Sequence, residues 1–394
     1  MPYYRSVGDV PPKRHTQFRR PDGQLYAEEL MGQEGFSSSS SLLYHRSAPT
    51  ALVSAEAVLE MEPKLVPNQP LLPYHLRTAR LSGGGDVVTG RTVLLGNEDV
   101  IVAVAQPTEA SGLYRNATGD EIVYVREGAL RFESVFGTLD CRAGDYVVIP
   151  RATTHRWVPE GTTQVHALVI EARGHVGPPD RYLSSRGQFL EHSPYCERDL
   201  HGPEEPLVVE GEDVEVLVRH IHGLTRYRYA HHPFDVVGWD GCVYPYRFAI
   251  GDFEPLTGRV HQPPPIHQTF AGPRFVVCSF VPRKLDYHPL SVPAPYNHAN
   301  VDSDEVLYYC AGKFTSRQGT GIEPGSISLH PAGFTHGPQP GSVEASLGQE
   351  ATEELAVMID TFRPLLLGDG ARACADPDYP WSWSGRQSAE TTSE

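Results

Sequence analysis

The sequence predicts an all-β-dominated protein in which one antiparallel barrel occurs twice, the two copies joined by a connecting module. Three observations carry the prediction: short apolar runs broken by turn residues, scarce helical periodicity, and a strand–turn–strand phrase that recurs. Apolar runs bounded by Gly, Pro, Asn and Asp are the pattern of sandwich or barrel strands. Gly 37 and Pro 35 supply the punctuation, together about 18% of the chain against a usual background of roughly 12%. With 40% hydrophobic and 21% charged residues, the composition is that of an ordinary globular protein.

The phrase first reads GDEIVYVREGALRFES, Gly119 to Ser134, a strand, a Glu-Gly turn and a second strand. FGTLDCRAGDYVVIPRATTHRW, Phe136 to Trp157, continues it with strands around the turn at Gly144, and VHALVIE, Val165 to Glu171, closes it. DEVLYYCAGKFTSR, Asp304 to Arg317, matches the opening in register. IEPGSISLHPAGFTHG, Ile322 to Gly337, matches the continuation: a Gly turn, a strand, Pro, then Thr-His. Two copies about 185 residues apart make an internal duplication. Paired strands closing on Pro-x4-His are the pattern of the double-stranded β-helix, the jelly-roll or cupin barrel. The expected organisation is an N-terminal extension over 1–84, a metal-free first barrel over 85–172 and a connecting module over 173–240. A metal-bearing second barrel over 241–368 and a polar tail over 369–394 complete it.

Charge and cysteines narrow the partners. A formal net charge of −16 argues against nucleic acid or an anionic membrane surface. Cys141, Cys196, Cys242, Cys278, Cys310 and Cys374 form no CxxC pair, so a thiolate zinc or dithiol redox site is not expected. The N-terminus lacks an apolar signal run, and no window approaches eighteen consecutive apolar residues. A cytoplasmic protein is expected.

The chemistry concentrates between Tyr296 and Pro338. His298, Glu305 and His336 are two imidazoles and a carboxylate on short strands and turns, the ligand set of a non-haem Fe(II) oxygenase, with open positions for substrate and dioxygen. Asn300, Asp302 and Ser303 between the first two are turn formers. They are needed, because an uninterrupted strand would send residues seven apart to opposite faces. The corresponding places in the first half are read as Asn116, Glu121 and His155. Asn116 is a poor iron ligand, so one ion per chain is expected. His330 brackets the same turn as His336, and either meets the ligands or substrate or is a plain strand-end histidine. His261 and His267 flank three prolines that fix the local backbone, a rigid setting for an acid–base histidine. Tyr296 precedes His298 by two residues and lines the pocket. Trp239, Tyr244 and Tyr246 suit a core more than a ligand box.

Over most of its length the chain resembles the homogentisate 1,2-dioxygenase family, in its bacterial form. The strings that carry the resemblance are ELMGQEGFSSSSSLLYH, GDYVVIPRATTHRW, PFDVVGW with the following PY, and SLH-x5-HGP. The resemblance implies two cupin-type barrels, one Fe(II), dioxygen as co-substrate and no organic cofactor. It implies ring opening of homogentisate to 4-maleylacetoacetate in tyrosine and phenylalanine catabolism, by an oxidoreductase that incorporates both oxygen atoms. Carried over by position, His298, Glu305 and His336 match the iron ligands, with His336 also against substrate. His267 matches the acid–base histidine, with His261 as its alternative. Tyr296, His330 and Phe314 match substrate-pocket residues, Phe314 standing where some members have Tyr. The implied partners are a small aromatic hydroquinone and a homo-oligomer of trimers or paired trimers, with no nucleic acid and no membrane. Alternatives are a ring-cleaving dioxygenase for gentisate, hydroquinone or a modified homogentisate, a zinc or manganese isomerase, and a non-catalytic bicupin binding protein.

Overall fold

The computed structural model describes residues 3–58, 63–317 and 319–384. Strands dominate it, and no helix among the described residues is long and apolar enough to cross a membrane, which says nothing of β-barrel spans. The chain divides into two compact units. One comprises residues 1–63, 83–91 and 103–252, the other residues 64–82, 92–102 and 253–394.

In the first unit the strand Glu121–Glu127 lies between Asp145–Ile149 and His166–Ala172, antiparallel to both. Asp145–Ile149 pairs in turn with Tyr246–Ala249. A second sheet runs Gly137–Arg142, Ala129–Ser134, His155–Glu160, Leu113–Asn116, Glu212–His220, Gly223–His231 and Leu52–Val58 in spatial order. Ile122, Val123, Tyr124, Phe132, Val147, Trp157 and Ile170 are all buried. Strands covered on both faces read as continuous apolar runs rather than alternating ones, which is why YVVI and ALVI carry no polar interruptions. Trp239, Tyr244 and Tyr246 are buried as well, Trp239 donating to the Phe136 carbonyl at 2.8 Å. They belong to the core.

In the second unit one sheet runs Gln268–Gly272, Phe275–Phe280, Leu355–Thr361, Asp304–Ala311, Ser326–His330 and Tyr74–Arg77. Its central strand Asp304–Ala311 is buried from Asp304 to Cys310. Leu307, Tyr309, Cys278, Phe314 and Met358 form an apolar cluster on the Glu305 side of that strand.

The duplication extends to individual hydrogen bonds. Glu121 stands opposite Ile149 on one side and Glu171 on the other. Glu305 stands opposite His330 and Asp360. The turn before each flanking strand places a glycine in the left-handed region, Gly144 at φ 95° and Gly325 at φ 91°, where a side chain is disfavoured. The acidic residue before each glutamate caps two loops at once. Asp120 accepts from the Arg151 and Val176 amides at 2.7 and 2.8 Å, and Asp304 accepts from the Ala332 and Leu365 amides at 2.8 and 2.7 Å. Backbone donors in such loops must find partners, and one carboxylate in each copy provides two.

Candidate metal centre

His298 and His336 are brought together by their own backbones. Each donates its amide to the other's carbonyl, at 2.8 and 2.9 Å. The neighbouring Gly337 has no room for a side chain, since a Cβ there would lie 2.2 Å from Asn297 Oδ1. Arg317 Nη1 and Trp383 Nε1 hold the Gly337 carbonyl at 2.7 and 3.1 Å. Glu305 enters from the central strand, 6% exposed. One ligand atom from each of His298, Glu305 and His336 lies within 4.8 Å of the others. His298 Nε2 is 3.5 Å from Glu305 Oε2 and His336 Nε2 is 3.2 Å from Glu305 Oε1.

The orientation of both rings is fixed from behind. His298 Nδ1 lies 3.2 Å from the Tyr296 carbonyl and His336 Nδ1 lies 3.0 Å from the Phe334 carbonyl. A carbonyl only accepts, so Nδ1 keeps its proton, and Nε2, which faces Glu305, would present its lone pair to a metal on giving up its own proton, the arrangement common to metal-ligating histidines. Burial alone would raise the Glu305 carboxyl. Hydrogen bonds from His298, His330 and His336 outweigh it and hold the group well below the usual carboxylate range. His298 is raised chiefly by its bond to Glu305. An ionised carboxylate and two imidazole nitrogens converging on one point fit a divalent transition metal.

His330 plays a different part. It is fully buried, stacked on His336 with ring centroids 4.0 Å apart. Its Nδ1 is 2.9 Å from Glu305 Oε1 and its Nε2 is 2.9 Å from the Tyr379 hydroxyl. Burial pushes its pKa down to about 3, so the ring is neutral: Nδ1–H donates to Glu305 and Nε2 accepts from Tyr379. Both nitrogens are committed, leaving none for a metal. Tyr379 is 1% exposed and comes from the segment read as polar tail, of which residues 369–384 are described.

The remaining residues named from sequence divide. Tyr296 is 55% exposed, its ring between His261 at 5.4 Å and His298 at 6.2 Å. His261 is bonded to Asp286 at 3.1 Å and is linked to the ligand His298 through the Tyr296 ring. His267 lies elsewhere. It is buried against Phe280, centroids 4.5 Å apart. Phe280 pairs with Ala356, which pairs with Tyr309, four residues and about 13 Å along the strand from Glu305. Burial, then the nearby Arg283 charge, lowers its pKa to about 3, so it is neutral and sits below the mouth. Phe314 is likewise in the apolar cluster with Tyr309, 4.8 Å between rings, rather than against the ligands.

The first half corrects one correspondence. His155 pairs with Tyr114 as His336 pairs with His298, and both Tyr114 and His298 stand seven residues before their glutamate. The counterpart of His298 is therefore Tyr114, not Asn116. Its hydroxyl donates to Glu121 Oε1 at 3.0 Å, and Arg91 grips the same carboxylate with Nη1 at 3.0 Å and Nη2 at 2.8 Å. A guanidinium fork supplies the positive charge there.

The chain is similar to several known proteins. The cupin domain family matches residues 101–171. A relative from Saccharolobus solfataricus named "Putative dioxygenase" is 39% identical over 390 residues, 97% of this chain and 99% of its own. A homogentisate 1,2-dioxygenase of Emericella nidulans is 26% identical over 308 residues, 74% of this chain, and the match spans 63% of that enzyme's length. Among solved structures, a cupin 2 conserved barrel domain protein from Leptotrichia buccalis is 9% identical with a TM-score of 0.34, covering 78% of this chain and all of its own.

Proposed function

Given that this chain belongs to the cupin dioxygenase family, we propose that it is an Fe(II)-dependent ring-cleaving dioxygenase. The substrate we favour is homogentisate, opened to 4-maleylacetoacetate. The observation that carries the reading is the convergence of His298, Glu305 and His336 on one point with both imidazole tautomers preset.

Bound there, a ferrous ion would supply a Lewis-acidic, electron-relaying centre at which a diol and dioxygen meet. The protein's own groups do the rest. Glu305, kept ionised, offsets one of the ion's charges, and His330 fixes the carboxylate's orientation. His298 and His336 offer neutral nitrogen donors. His261, one ring from His298 at the exposed edge, is better placed than His267 to take the proton of a phenolic hydroxyl. Tyr296 between them offers an aromatic wall. The diol itself provides all the electrons that dioxygen accepts, and both oxygen atoms enter the product, so no external reductant is required.

The test is oxygen uptake by the protein loaded anaerobically with Fe(II), across homogentisate, gentisate and hydroquinone. The expected result is one dioxygen consumed per homogentisate, with a strongly absorbing product in the near ultraviolet. Preference for gentisate or hydroquinone would move the substrate while keeping the chemistry. Full iron occupancy with no uptake on any of the three would overturn the reading in favour of a binding barrel. Glu305→Ala and His336→Ala should each lose the metal, measured by elemental analysis.

A further inference from the structure

Each half of the duplication places a second acidic side chain beside its central glutamate. In an antiparallel ladder, directly opposite residues point to the same face. Glu121 therefore has Glu171 beside it, and Glu305 has Asp360. In the first unit both members are satisfied from within the chain. Arg91 holds Glu121 at 2.8 Å, and Arg219 donates to Glu171 at 2.6 Å. In the second unit Glu305 has its three histidines. Among the described residues Asp360 has no such arginine, and its Oδ1 is buried without a hydrogen-bond partner.

A buried carboxylate oxygen left without a donor is costly and uncommon. The side chain is half-buried, and rotation about χ2 exchanges its two oxygens, so the carboxylate can offer an acceptor to the mouth. Asp360 follows the apolar run of its strand Leu355–Thr361, LAVMIDT, at the end that lies beside Glu305.

We propose that Asp360 is a substrate-binding residue whose carboxylate accepts a hydrogen bond from one ring hydroxyl of the diol held beside His298, Glu305 and His336. The assignment rests on the dioxygenase reading above. A site built to pair a hydroxyl discriminates sharply against the analogue that lacks it, because the acceptor is then left unpaired. Asp360 thereby selects for a dihydroxylated ring.

The test is a ligand–mutant cycle on the Fe(II)-loaded protein without oxygen. Homogentisate, 2-hydroxyphenylacetate and 3-hydroxyphenylacetate are titrated calorimetrically into the parent protein and Asp360→Asn, with Asp360→Glu as the variant that keeps a carboxylate. Asp360→Asn is expected to weaken homogentisate about tenfold or more at unchanged iron content, with partial rescue in Asp360→Glu. That penalty should vanish for whichever monophenol lacks the hydroxyl that Asp360 holds. Homogentisate binding within twofold of the parent, equal weakening of all three ligands, or loss of iron from Asp360→Asn would each overturn the assignment. A parent protein that binds none of the three ligands and takes up no oxygen would instead overturn the dioxygenase reading, and this one with it.

Discussion

At the scale of single residues, the centre depends on groups that never touch the metal position. His330 stands between Glu305 and Tyr379, each contact at 2.9 Å, and transmits the tyrosine's hydroxyl to the carboxylate. Replacing Tyr379 by Phe leaves His330 Nε2 buried without a donor and loosens the ring that orients Glu305. Losses of such outer partners typically cost 10–100-fold in metal affinity. We expect about that loss for Tyr379→Phe, read by competition with a chelator, while the metal-free protein loses only the roughly 1–3 kcal/mol of one unpaired buried acceptor. An unchanged affinity would detach Tyr379 from the site. The three ligands were legible in the sequence because type, order and turn spacing agreed. Tyr379 and Asp360 were not. The first lies in a stretch whose composition reads as polar tail, and the second gains its meaning only from the register that sets it beside Glu305. Counting seven residues back from Glu121 finds Tyr114, whereas reading for a polar ligand-like side chain finds Asn116. Spacing was the better guide.

At the scale of elements, the Asp-Glu pair opening each central strand does two jobs with adjacent residues. The glutamate faces the barrel mouth, and the aspartate, pointing the other way, caps two loops. Asp304→Ala would strand the Ala332 and Leu365 amides. With each unsatisfied buried donor costing roughly 1–3 kcal/mol, the expected loss is about 2–6 kcal/mol by denaturant titration. Because Ala332 belongs to the turn that carries His336, iron affinity should fall with it. Asp120→Ala should cost a similar amount of stability and leave iron affinity unchanged. The strands themselves were readable from their apolar runs and Gly turns. The position of His267 was not, since the three prolines before it mark a rigid loop but do not say at which level of the barrel that loop enters.

At the scale of the whole molecule, the two units answer the same electrostatic problem differently. The first neutralises its acidic pair with Arg91 and Arg219, and the second assembles histidines around Glu305 and leaves Asp360 open. A divalent metal held by His298, Glu305 and His336 would therefore stabilise only the second. By mass action, ion at 100 times its dissociation constant adds about 2.7 kcal/mol. Native-state hydrogen exchange should show it as slowing of up to roughly 100-fold in the strands Asp304–Ala311 and Ser326–His330. The strand Glu121–Glu127 should exchange at the same rate with and without the ion. Equal slowing in both would contradict the division. The doubled architecture was visible in the sequence as a repeated phrase, but the arginine substitution was not, because Arg91 lies thirty residues from the glutamate it grips.

The Arg91 fork in the first unit has a consequence for what a bound metal would have to do. A barrel whose internal cation is encoded in the chain needs no metal to neutralise its buried glutamate. Metal loading would then be a local event, confined to the other half.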